Sequence, residues 1–396
     1  MSPSSAARSG GADGLNQDVQ FLRAVAILFT LFQHMEYLLY WGEPGYQSVF
    51  TIFGFWSGVD LFFCISGFVI MRSMLAQWQA HAEQPRPFLR FAVPFWTRRA
   101  WRLWPAAWLW AILPIGGALW FNQSGAFGAL RPMLLDAAAA VLQIANFHWV
   151  GCYHYGTGNC NIGAWLLIVY WSLSLEEQFY FLFPIVLFFA RPRYLPWMLA
   201  LLVVVQLPLH RAPLEAVWFF RTDALLIGLL LALWTGSASH RAIEPRFMRH
   251  RHLSFIVVLG LLLAVAAVSA PQDIKRFTTG AIALLCGVLV WLASYDRDYL
   301  WPEGAGKRFM SWCGARSYTL YLIHMPVYAL TREIWARLAP GDTHASGYVL
   351  TALLLMVVLA EVNYRLVERP SRERGRRIAR RMMVAAEPAA AVGSVR

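Results

Sequence analysis

An arginine and a histidine share one face of the first apolar segment of this chain. Arg23 and His34 lie eleven residues apart in the run FLRAVAILFTLFQHMEYLLY at residues 21–40. An α-helix turns about 100° per residue, so the two side chains point in nearly the same direction, about 16 Å apart along the axis. Ionisable groups in apolar helices are costly and usually face a protein interior or a wet cavity. Because an imidazole can take a proton or carry a group, the spacing predicts a functional groove in which His34 reacts.

Six other ionisable residues interrupt later apolar segments: Asp60, Glu176, Glu177, Arg221, Asp223 and His324. Each alone can also be a hydrogen bond or ion pair that fixes helix packing. We favour that interpretation for Arg221 and Asp223, and both interpretations stay open for Asp60.

The two adjacent glutamates point about 100° apart on a helix. One of them should face the bundle and the other should pair locally. Ser172 lies four residues before Glu176 and on the same side. Glu176 is therefore the candidate for the catalytic face.

The segment TRRAWRLWP carries Arg98, Arg99 and Arg102. Arg99 and Arg102 are three residues apart and would be neighbours on a helix, with Pro105 suited to a bend beyond them. Paired guanidiniums at a helix start form a fork that matches phosphate oxygens. The alternative is an anchor at the lipid headgroups, with the nearby tryptophans as an interfacial belt.

The composition predicts an all-α, polytopic integral membrane bundle. The 396 residues are 58% hydrophobic and only 14% charged, too little charge to cover a soluble protein of this length. We expect a disordered tail at residues 1–17, a membrane domain at 18–370 and a basic cytoplasmic tail at 371–396. A fused extracytoplasmic domain is not expected.

The arginine clusters indicate the topology. The sequence contains eleven apolar windows that could each cross the membrane. The basic stretches 72–102, 236–252 and 368–381 all lie on the same side of the membrane only if one window between 103 and 190 does not cross. The window 131–149 is the weakest because three polar residues interrupt it. We therefore predict about ten crossings plus one re-entrant or non-crossing segment, with both termini cytoplasmic.

The net charge of +12 comes almost entirely from arginines in loops. Their placement fits the positive-inside rule better than a nucleic-acid-binding stripe, so no nucleic-acid partner is expected. A Cys-His spacing typical of metal sites is missing, so no metal is expected.

Two cysteines flank the polar loop CYHYGTGNC. Cys152 and Cys160 are the plausible disulfide pair, and the predicted topology places them outside, where a disulfide can persist. The alternative is a packed loop with two free thiols. Tyr153, His154 and Tyr155 in this loop can stack on a sugar and bind it by hydrogen bonds.

Six motifs in order resemble the membrane acyltransferase-3 family, the group of O-antigen and exopolysaccharide acetyltransferases. They are LRAVAILFTLFQH, GVDLFFCISGFVI, FWTRRAWRLWP, WSLSLEEQFYFLFP, RTDALLIGLLLA and SYTLYLIHMPV, across residues 17–372. The resemblance implies transfer of an acyl group, usually acetyl from acetyl-CoA, to a sugar hydroxyl. In the family, an intramembrane arginine–histidine pair and an Arg-x-x-Arg motif at the cytoplasmic entrance are regarded as functional. They correspond here to Arg23 with His34 and to Arg99 with Arg102.

These observations combine into one expected mechanism. Cytoplasmic acyl-CoA places its phosphates on Arg98, Arg99 and Arg102, Arg23 also binds the donor, and the pantetheine arm reaches toward His34. His34 acts as general base on the acceptor hydroxyl or carries the acyl group itself.

The remaining predicted site residues orient His34 or bind the acceptor. Glu176 or Asp60 would orient the imidazole, while Glu177 and His324 join the outer loop in contacting a glycan or glycolipid. The main alternative is a transporter or flippase whose charged groups line a substrate path, and a third possibility is a membrane-embedded sensor.

Overall fold

The computed structural model describes residues 16–85, 87–270, 275–301 and 304–384. Every regular element in this part of the chain is helical, which confirms the predicted all-α class. The α-helices are α1 Gln17–Gln33, α2 Met35–Leu38, α3 Pro44–Phe50, α4 Gly58–Glu83, α5 Phe88–Trp120, α6 Leu130–Val141, α7 Ala145–Tyr153, α8 Tyr170–Phe189, α9 Leu195–Gln206, α10 Asp223–Trp234, α11 Ala238–Ala242, α12 Arg251–Val268, α13 Thr278–Ala293, α14 Ala305–Ala315, α15 Ser317–Leu338, α16 Ala345–Asn363 and α17 Arg369–Val384. Short 3₁₀ turns occupy Ala216–Phe220 and Arg246–Arg249, and a π-turn occupies Tyr364–Glu368.

Six helical stretches are long and apolar enough to cross a membrane, as judged by length and composition. They are Gly58–Glu83, Phe88–Trp120, Tyr170–Phe189, Ala216–Trp234, Arg251–Val268 and Ala345–Met383. The apolar helices α9 and α13 are shorter. The chain is thus a multi-pass helical membrane protein, and the count of about ten crossings stays a prediction.

The first apolar segment is not one continuous helix. We predicted a single helix across 21–41, but α1 ends at Gln33 and α2 begins at Met35. The residue between them, His34, has φ −92° and ψ 4°, in the bridge region between helix and strand where many active-site residues are found. The break therefore takes His34 out of the regular helical ladder.

The segment with the Arg-x-x-Arg motif also differs from the prediction. Most of the basic stretch 72–102 is helical, because α4 continues to Glu83 and α5 begins at Phe88. Arg99 and Arg102 therefore lie in the interior of α5 and not at a helix start. Pro105 does not end this 33-residue helix.

The weak window 131–149 holds two short helices, α6 and α7, joined by a turn in which Gln143 has φ 59°. Neither helix reaches the length that a membrane crossing needs, about 20 residues. That the window 131–149 does not cross stays a prediction.

Two glycines allow α4 and α10 to pack closely. A Cβ atom at Gly67 would overlap the carbonyl oxygen of Leu225, and one at Gly228 would overlap that of Cys64. Small residues at helix contacts permit such approach in membrane bundles. The α4–α10 pair forms a rigid wall beside α1, which packs against α4, α14 and α15.

The basic C-terminal segment forms a packed helix. We predicted a tail from residue 371, yet α17 runs from Arg369 to Val384 and packs along α5. A Cβ at Gly375 would overlap the side chain of Trp101, so the two helices touch there. Residues 385–396 and residues 1–15 of the predicted tails lie outside the described residues.

Candidate active site

A cavity with an empty volume of about 910 Å³ lies between α1, α4, α5, α8 and α15. Its charged lining comes from Arg23, Arg99, Arg102 and Glu176. Its hydroxyl groups come from Ser66, Ser172, Tyr180, Ser317, Tyr318 and Tyr321. The structure thus brings together three of the predicted donor-binding arginines and the predicted catalytic glutamate.

Positive charge dominates the cavity at its arginine-lined end. Arg23, Arg99 and Arg102 converge there from α1 and α5, whereas Arg98 is not part of the lining. A fourth guanidinium, that of Arg372 in α17, is close enough to act electrostatically on Arg23 and Arg102. The Nε atom of Arg372 is buried and has no hydrogen-bond partner among the described residues. Sequence reasoning missed Arg372 because it assigned the segment to an unstructured tail.

Glu176 belongs to a small polar cluster on the cavity wall. Tyr180 donates from its hydroxyl to Glu176 Oε2 at 2.8 Å, and the hydroxyls of Tyr180 and Ser66 also share a hydrogen bond. The guanidinium of Arg99 lies 4.9 Å from the centroid of the Tyr180 ring. One turn of α8 spaces Glu176 from Tyr180, so this contact is local. Ser172 lines the same cavity, as the helical spacing predicted.

Glu177 points elsewhere, as its angular offset predicted. Trp104 donates from Nε1 to Glu177 Oε2 at 2.9 Å. Glu177 is absent from the lining of the main cavity and faces a small crevice with Trp104 and Gln143. The structure therefore does not support our prediction that Glu177 binds the acceptor.

His34 pairs with a second histidine. Its Nδ1 lies 3.0 Å from Nε2 of His324, and the rings are stacked with centroids 5.1 Å apart. His324 is 0% exposed, whereas His34 is only partly buried. We predicted that Glu176 or Asp60 orients His34 and that His324 binds the acceptor. The structure corrects the first prediction, because the ring partner of His34 is His324.

The hydrogen bonds determine which nitrogen of His34 is free. His324 Nδ1 lies 2.7 Å from the carbonyl oxygen of Tyr321, which can only accept, so this nitrogen carries the proton. In a neutral ring Nε2 of His324 is then an acceptor, and it must take its hydrogen bond from Nδ1–H of His34. The lone pair of His34 is consequently on Nε2, where it is available as base or nucleophile.

Tyr321 connects the cavity with the histidine pair. It lines the cavity, and its ring centroid lies 5.7 Å from that of His324. Ser172 and Tyr321 share a hydrogen bond of 2.7 Å, which holds the Tyr321 side chain between α8 and α15. The lining of the arginine-lined cavity therefore stops at Tyr321, whose ring contacts that of His324, and it includes Arg23 but neither His34 nor His324.

Asp60 is part of a buried ion pair. Arg221 contacts it through two bonds, Nε to Oδ1 at 2.8 Å and Nη2 to Oδ2 at 3.1 Å, and both residues are almost fully buried. The Arg221 guanidinium also lies 3.7 Å from the ring centroid of Trp218. Asp60 is absent from the cavity lining. With both of its oxygens engaged, Asp60 holds α4 to the segment before α10, and its predicted catalytic role is not supported.

Asp223, the other residue for which we favoured a packing role, also has a partner of its own. Asp223 accepts from Nη2 of Arg211 at 2.6 Å, so Arg221 and Asp223 do not pair with each other. Both pairs fix packing, as favoured from the sequence, but between different residues.

The loop after α7 contains a disulfide. Cys152 and Cys160 are joined, with their Cα atoms 6.0 Å apart. Tyr153 stacks on Trp149 with centroids 5.8 Å apart. His154 and Tyr155 are exposed, Tyr155 by 73%. The helix α7 packs mainly against α6, α8 and the 3₁₀ turn Ala216–Phe220, whereas the histidine pair lies between α1 and α15.

One group in the described part of the chain has the spacing of a metal site: His148 with the two cysteines, whose donor atoms lie within 4.8 Å of one another. Both sulfurs are engaged in the disulfide. Nε2 of His148 also lies 2.7 Å from Oδ1 of Asp136. This group is therefore better described as a hydrogen-bonded support of the loop than as a cation site.

The fold and the site define a helical membrane protein in which Tyr321 separates an arginine-lined cavity from a histidine pair. Residues 16–361 match the model of the acyltransferase domain family known as acyltransferase 3. The chain belongs to this family, as the sequence motifs had indicated.

Several relatives are similar along most of the chain. It is 25% identical over 376 residues to the peptidoglycan O-acetyltransferase OatA of Listeria monocytogenes, covering 89% of this chain and 55% of the relative. It is 26% identical over 369 residues to the O-acetyltransferase OatA of Staphylococcus aureus, covering 89% and 57%. A putative peptidoglycan O-acetyltransferase of Bacillus subtilis, YrhL, is 26% identical over 385 residues, covering 92% and 56%.

The chain therefore spans about half the length of the curated relatives that it matches. No solved structure matches it.

Proposed function

We propose that this chain is a membrane O-acetyltransferase that moves an acetyl group from acetyl-CoA to a hydroxyl of a glycan acceptor. The observation that carries the proposal is the His34–His324 pair, which lies behind Tyr321 in the wall of the arginine-lined cavity. Membership of the acyltransferase family and the relatives named as O-acetyltransferases support it. The peptidoglycan named for two of these relatives makes a peptidoglycan-like sugar the first acceptor to test.

The donor fits the arginine-lined end of the cavity. Guanidinium groups form charge-assisted, often bidentate hydrogen bonds with phosphate oxygens. Arg23, Arg99 and Arg102 supply three such groups in the cavity lining, and Arg372 is near enough to Arg23 and Arg102 to act on them electrostatically. The narrower, hydroxyl-lined part beyond them suits the pantetheine arm, which would bring the thioester toward Tyr321 and the histidines. In the predicted topology the arginine-lined end of the cavity faces the cytoplasm, where acetyl-CoA is made.

His34 supplies the reactive nitrogen. As the acceptor oxygen bonds to the thioester carbonyl carbon, Nε2 of His34 takes the hydroxyl proton. The carbon–sulfur bond then breaks, and the departing CoA thiolate takes up that proton. In the relay version, Nε2 attacks the carbonyl carbon first, the carbon–sulfur bond breaks and the CoA thiolate leaves. The acceptor oxygen then bonds to the acetyl carbon and displaces the neutral imidazole, and the hydroxyl proton goes to the CoA thiolate.

His324 allows either route because it fixes the tautomer of His34 without adding a charge. A carboxylate in this place would stabilise an imidazolium more strongly. The neutral partner instead leaves Nε2 unprotonated before the donor arrives, which both routes require. The helix break at His34 permits its ring to face His324 while part of it stays accessible.

The test uses purified full-length protein in detergent with radiolabelled acetyl-CoA and a soluble peptidoglycan disaccharide. Wild type should consume acetyl-CoA and acetylate the disaccharide, and His34→Ala should do neither while keeping a normal melting temperature. Arg131→Gln is a matched control, because Arg131 is exposed and far from the cavity lining.

Two outcomes decide the remaining alternatives. If wild type binds acetyl-CoA but never cleaves it, even with acceptor present, a transporter or flippase becomes the better interpretation. Activity of His34→Ala within a few fold of wild type would remove His34 from the mechanism. Acetyl label that stays on the protein after acid quenching, and disappears on adding acceptor, would select the relay over direct transfer.

A further inference from the structure

One stripe of α15 runs from the cavity, past the histidine pair, to a second polar site. Tyr321, His324, Tyr328 and Arg332 follow at intervals of three or four residues and therefore share one face. Each contacts the first segment or the cavity: His324 meets His34, and Tyr328 donates to the carbonyl oxygen of Leu31 at 2.8 Å. Arg332 lies eight residues after His324, about 12 Å further along the axis. It is thus on the opposite side of the histidines from the donor cavity.

Arg332 is held between two tyrosine rings. Its guanidinium carbon lies 4.6 Å from the ring centroid of Tyr37 and 4.3 Å from that of Tyr40. Both tyrosines belong to the short segment that follows the break at His34. The Tyr37 ring is buried, but Tyr40 is 54% exposed. An accessible aromatic face therefore stands beside a cation a few residues from the reactive imidazole.

The hydrogen-bonding capacity of Arg332 is mostly unused. A guanidinium has five N–H donors. Among the described residues the structure gives it one hydrogen bond, from Nη1 to the carbonyl oxygen of Tyr37 at 3.2 Å. Its Nε is buried without a partner, and no carboxylate pairs with it in the part of the chain that the structure describes. A buried, unpaired donor on a cation indicates a missing anionic or strongly accepting ligand.

The wall beside Arg332 is firmly held. Glu333 accepts hydrogen bonds from the backbone amides of Gln123 and Ser124, both at 2.7 Å, and from the Ser124 hydroxyl at 2.6 Å. Tyr37 donates from its hydroxyl to the carbonyl oxygen of Ala126. The loop between α5 and α6 is therefore fastened to both α15 and α2. The Arg332 guanidinium consequently sits in a preformed setting and not on a mobile surface.

We propose that Tyr37, Tyr40 and Arg332 form the acceptor site, and that it binds an acidic glycan whose carboxylate lies about one disaccharide length from the hydroxyl that is acetylated. The proposal rests on the proposed function, because it takes His34 as the reacting residue. A planar guanidinium binds a carboxylate in bidentate fashion, and an exposed tyrosine ring stacks on the apolar face of a sugar. The 12 Å between His324 and Arg332 is about the length of a disaccharide, so a sugar held at Arg332 reaches His34.

The simpler explanation is a cation–π clamp that only joins α2 to α15. Such a clamp would work equally well with its N–H groups satisfied by solvent or by a carboxylate, and it does not require an orphaned Nε. A clamp also does not explain why Arg332 lies beyond the histidine pair along α15. These two features favour a ligand site, and they provide the contrast that the experiment uses.

The experiment measures acceptor binding separately from chemistry. The probe is a soluble peptidoglycan disaccharide whose muramic acid carries a free carboxylate, and chitobiose serves as the neutral disaccharide. Titration calorimetry without acetyl-CoA should show that wild type binds the acidic disaccharide at least tenfold more tightly than chitobiose. Arg332→Gln should lose that preference, and Arg332→Lys should keep part of it. Arg131→Gln is the control, and it should bind as wild type does.

Kinetics then separate this proposal from the proposed function. In Arg332→Gln the KM for the acidic disaccharide should rise at least tenfold, with acetyl-CoA hydrolysis in the absence of acceptor within twofold of wild type. If wild type shows no acetyl-CoA cleavage at all, the proposed function is wrong. The binding titration then still tests whether the site at Arg332 binds the acidic disaccharide.

Three results would overturn the acceptor site. The first is an acidic-over-neutral preference that Arg332→Gln leaves unchanged. The second is loss of folding in both Arg332 variants, which would make the residue a structural clamp. The third is displacement of the disaccharide by micelles that contain phosphatidylglycerol, which would indicate a lipid headgroup as the ligand.

Discussion

His34 donates a hydrogen bond from Nδ1 to Nε2 of His324 over 3.0 Å, although 290 residues separate the two in sequence. The chain of donors ends at the Tyr321 carbonyl oxygen, which accepts from the other nitrogen of His324. In many hydrolases a carboxylate orients the reacting imidazole. Here a buried neutral imidazole and a helix carbonyl do so, which fits a site inside a low-dielectric bundle where a lone carboxylate is costly.

His324 is a positioning residue for His34, so its replacement should affect turnover and not donor binding. We expect His324→Ala to lower kcat by about 10²–10⁴, the range found when a catalytic histidine takes the wrong tautomer or orientation. The KM for acetyl-CoA should change less than threefold. His324→Gln should recover at least tenfold over alanine, because its amide oxygen can accept from His34 Nδ1–H. If kcat falls equally in both variants while the melting temperature is unchanged, His324 does not act by fixing the tautomer of His34.

Arg99 and Arg102 should govern donor affinity. Lysine keeps their charge but loses the bidentate fork. In Arg99→Lys/Arg102→Lys we expect the KM for acetyl-CoA to rise about tenfold or more, with kcat within threefold. A fall in kcat alone would place these arginines in the chemical step. Measuring kinetics with acetyl-pantetheine, which lacks the nucleotide phosphates, provides the check: its KM should hardly differ between variant and wild type.

Arg372 should contribute to the same donor site from α17. Its buried Nε has no partner among the described residues, and it acts electrostatically on Arg23 and Arg102. We expect Arg372→Gln to raise the KM for acetyl-CoA about three- to tenfold, in line with the loss of one charge-assisted hydrogen bond. Arg377→Gln is the matched control, because Arg377 is exposed and points about 140° away from Arg372 around the same helix. An identical small effect in both variants would indicate a general charge effect and not a contact.

Much of the local geometry of this site could be predicted from helical periodicity. Arg99 and Arg102 are three residues apart and were predicted to be neighbours, and both line the cavity. The offset between Glu176 and Glu177 correctly separated the residue that lines the cavity from the residue that pairs with Trp104. These relations depend only on residues within one helix, for which the rotation per residue is known.

The partners across the bundle could not be predicted in this way. Asp60 pairs with Arg221, 161 residues later, and His34 with His324, because helix packing brings them together. Periodicity assigns a face to each residue but does not say which helix it meets. The break at His34 was missed for a related reason: its run of apolar residues carries no proline or glycine to indicate an interruption. The same limit made α17 look like a solvated tail, since its contact with Trp101 depends on tertiary packing.

The contact between α4 and α10 should be sensitive to any side chain at Gly67 or Gly228. A Cβ atom at either position would meet a backbone carbonyl of the other helix, which cannot move aside as a side chain can. We expect Gly228→Leu to lower the melting temperature in detergent by several degrees or to prevent folding, because overpacking costs about 1–3 kcal/mol or more. Gly260→Leu is the control, since nothing lies within 4 Å of the Cβ position there. Equal melting temperatures for the two variants would contradict the close α4–α10 contact.

The disulfide should stabilise the loop after α7 without taking part in the reaction. It closes a loop with a sequence separation of only 8, and loop-closure entropy then limits its contribution to about 3 kcal/mol. In Cys152→Ser/Cys160→Ser we expect a lower melting temperature, an intact fold and unchanged acetyl-CoA hydrolysis. The KM for a disaccharide acceptor should stay within twofold of wild type, because α7 packs mainly against α6 and α8 while the site at Arg332 lies on α15. A tenfold rise in that KM would instead assign the acceptor to Tyr153, His154 and Tyr155, as the sequence first suggested.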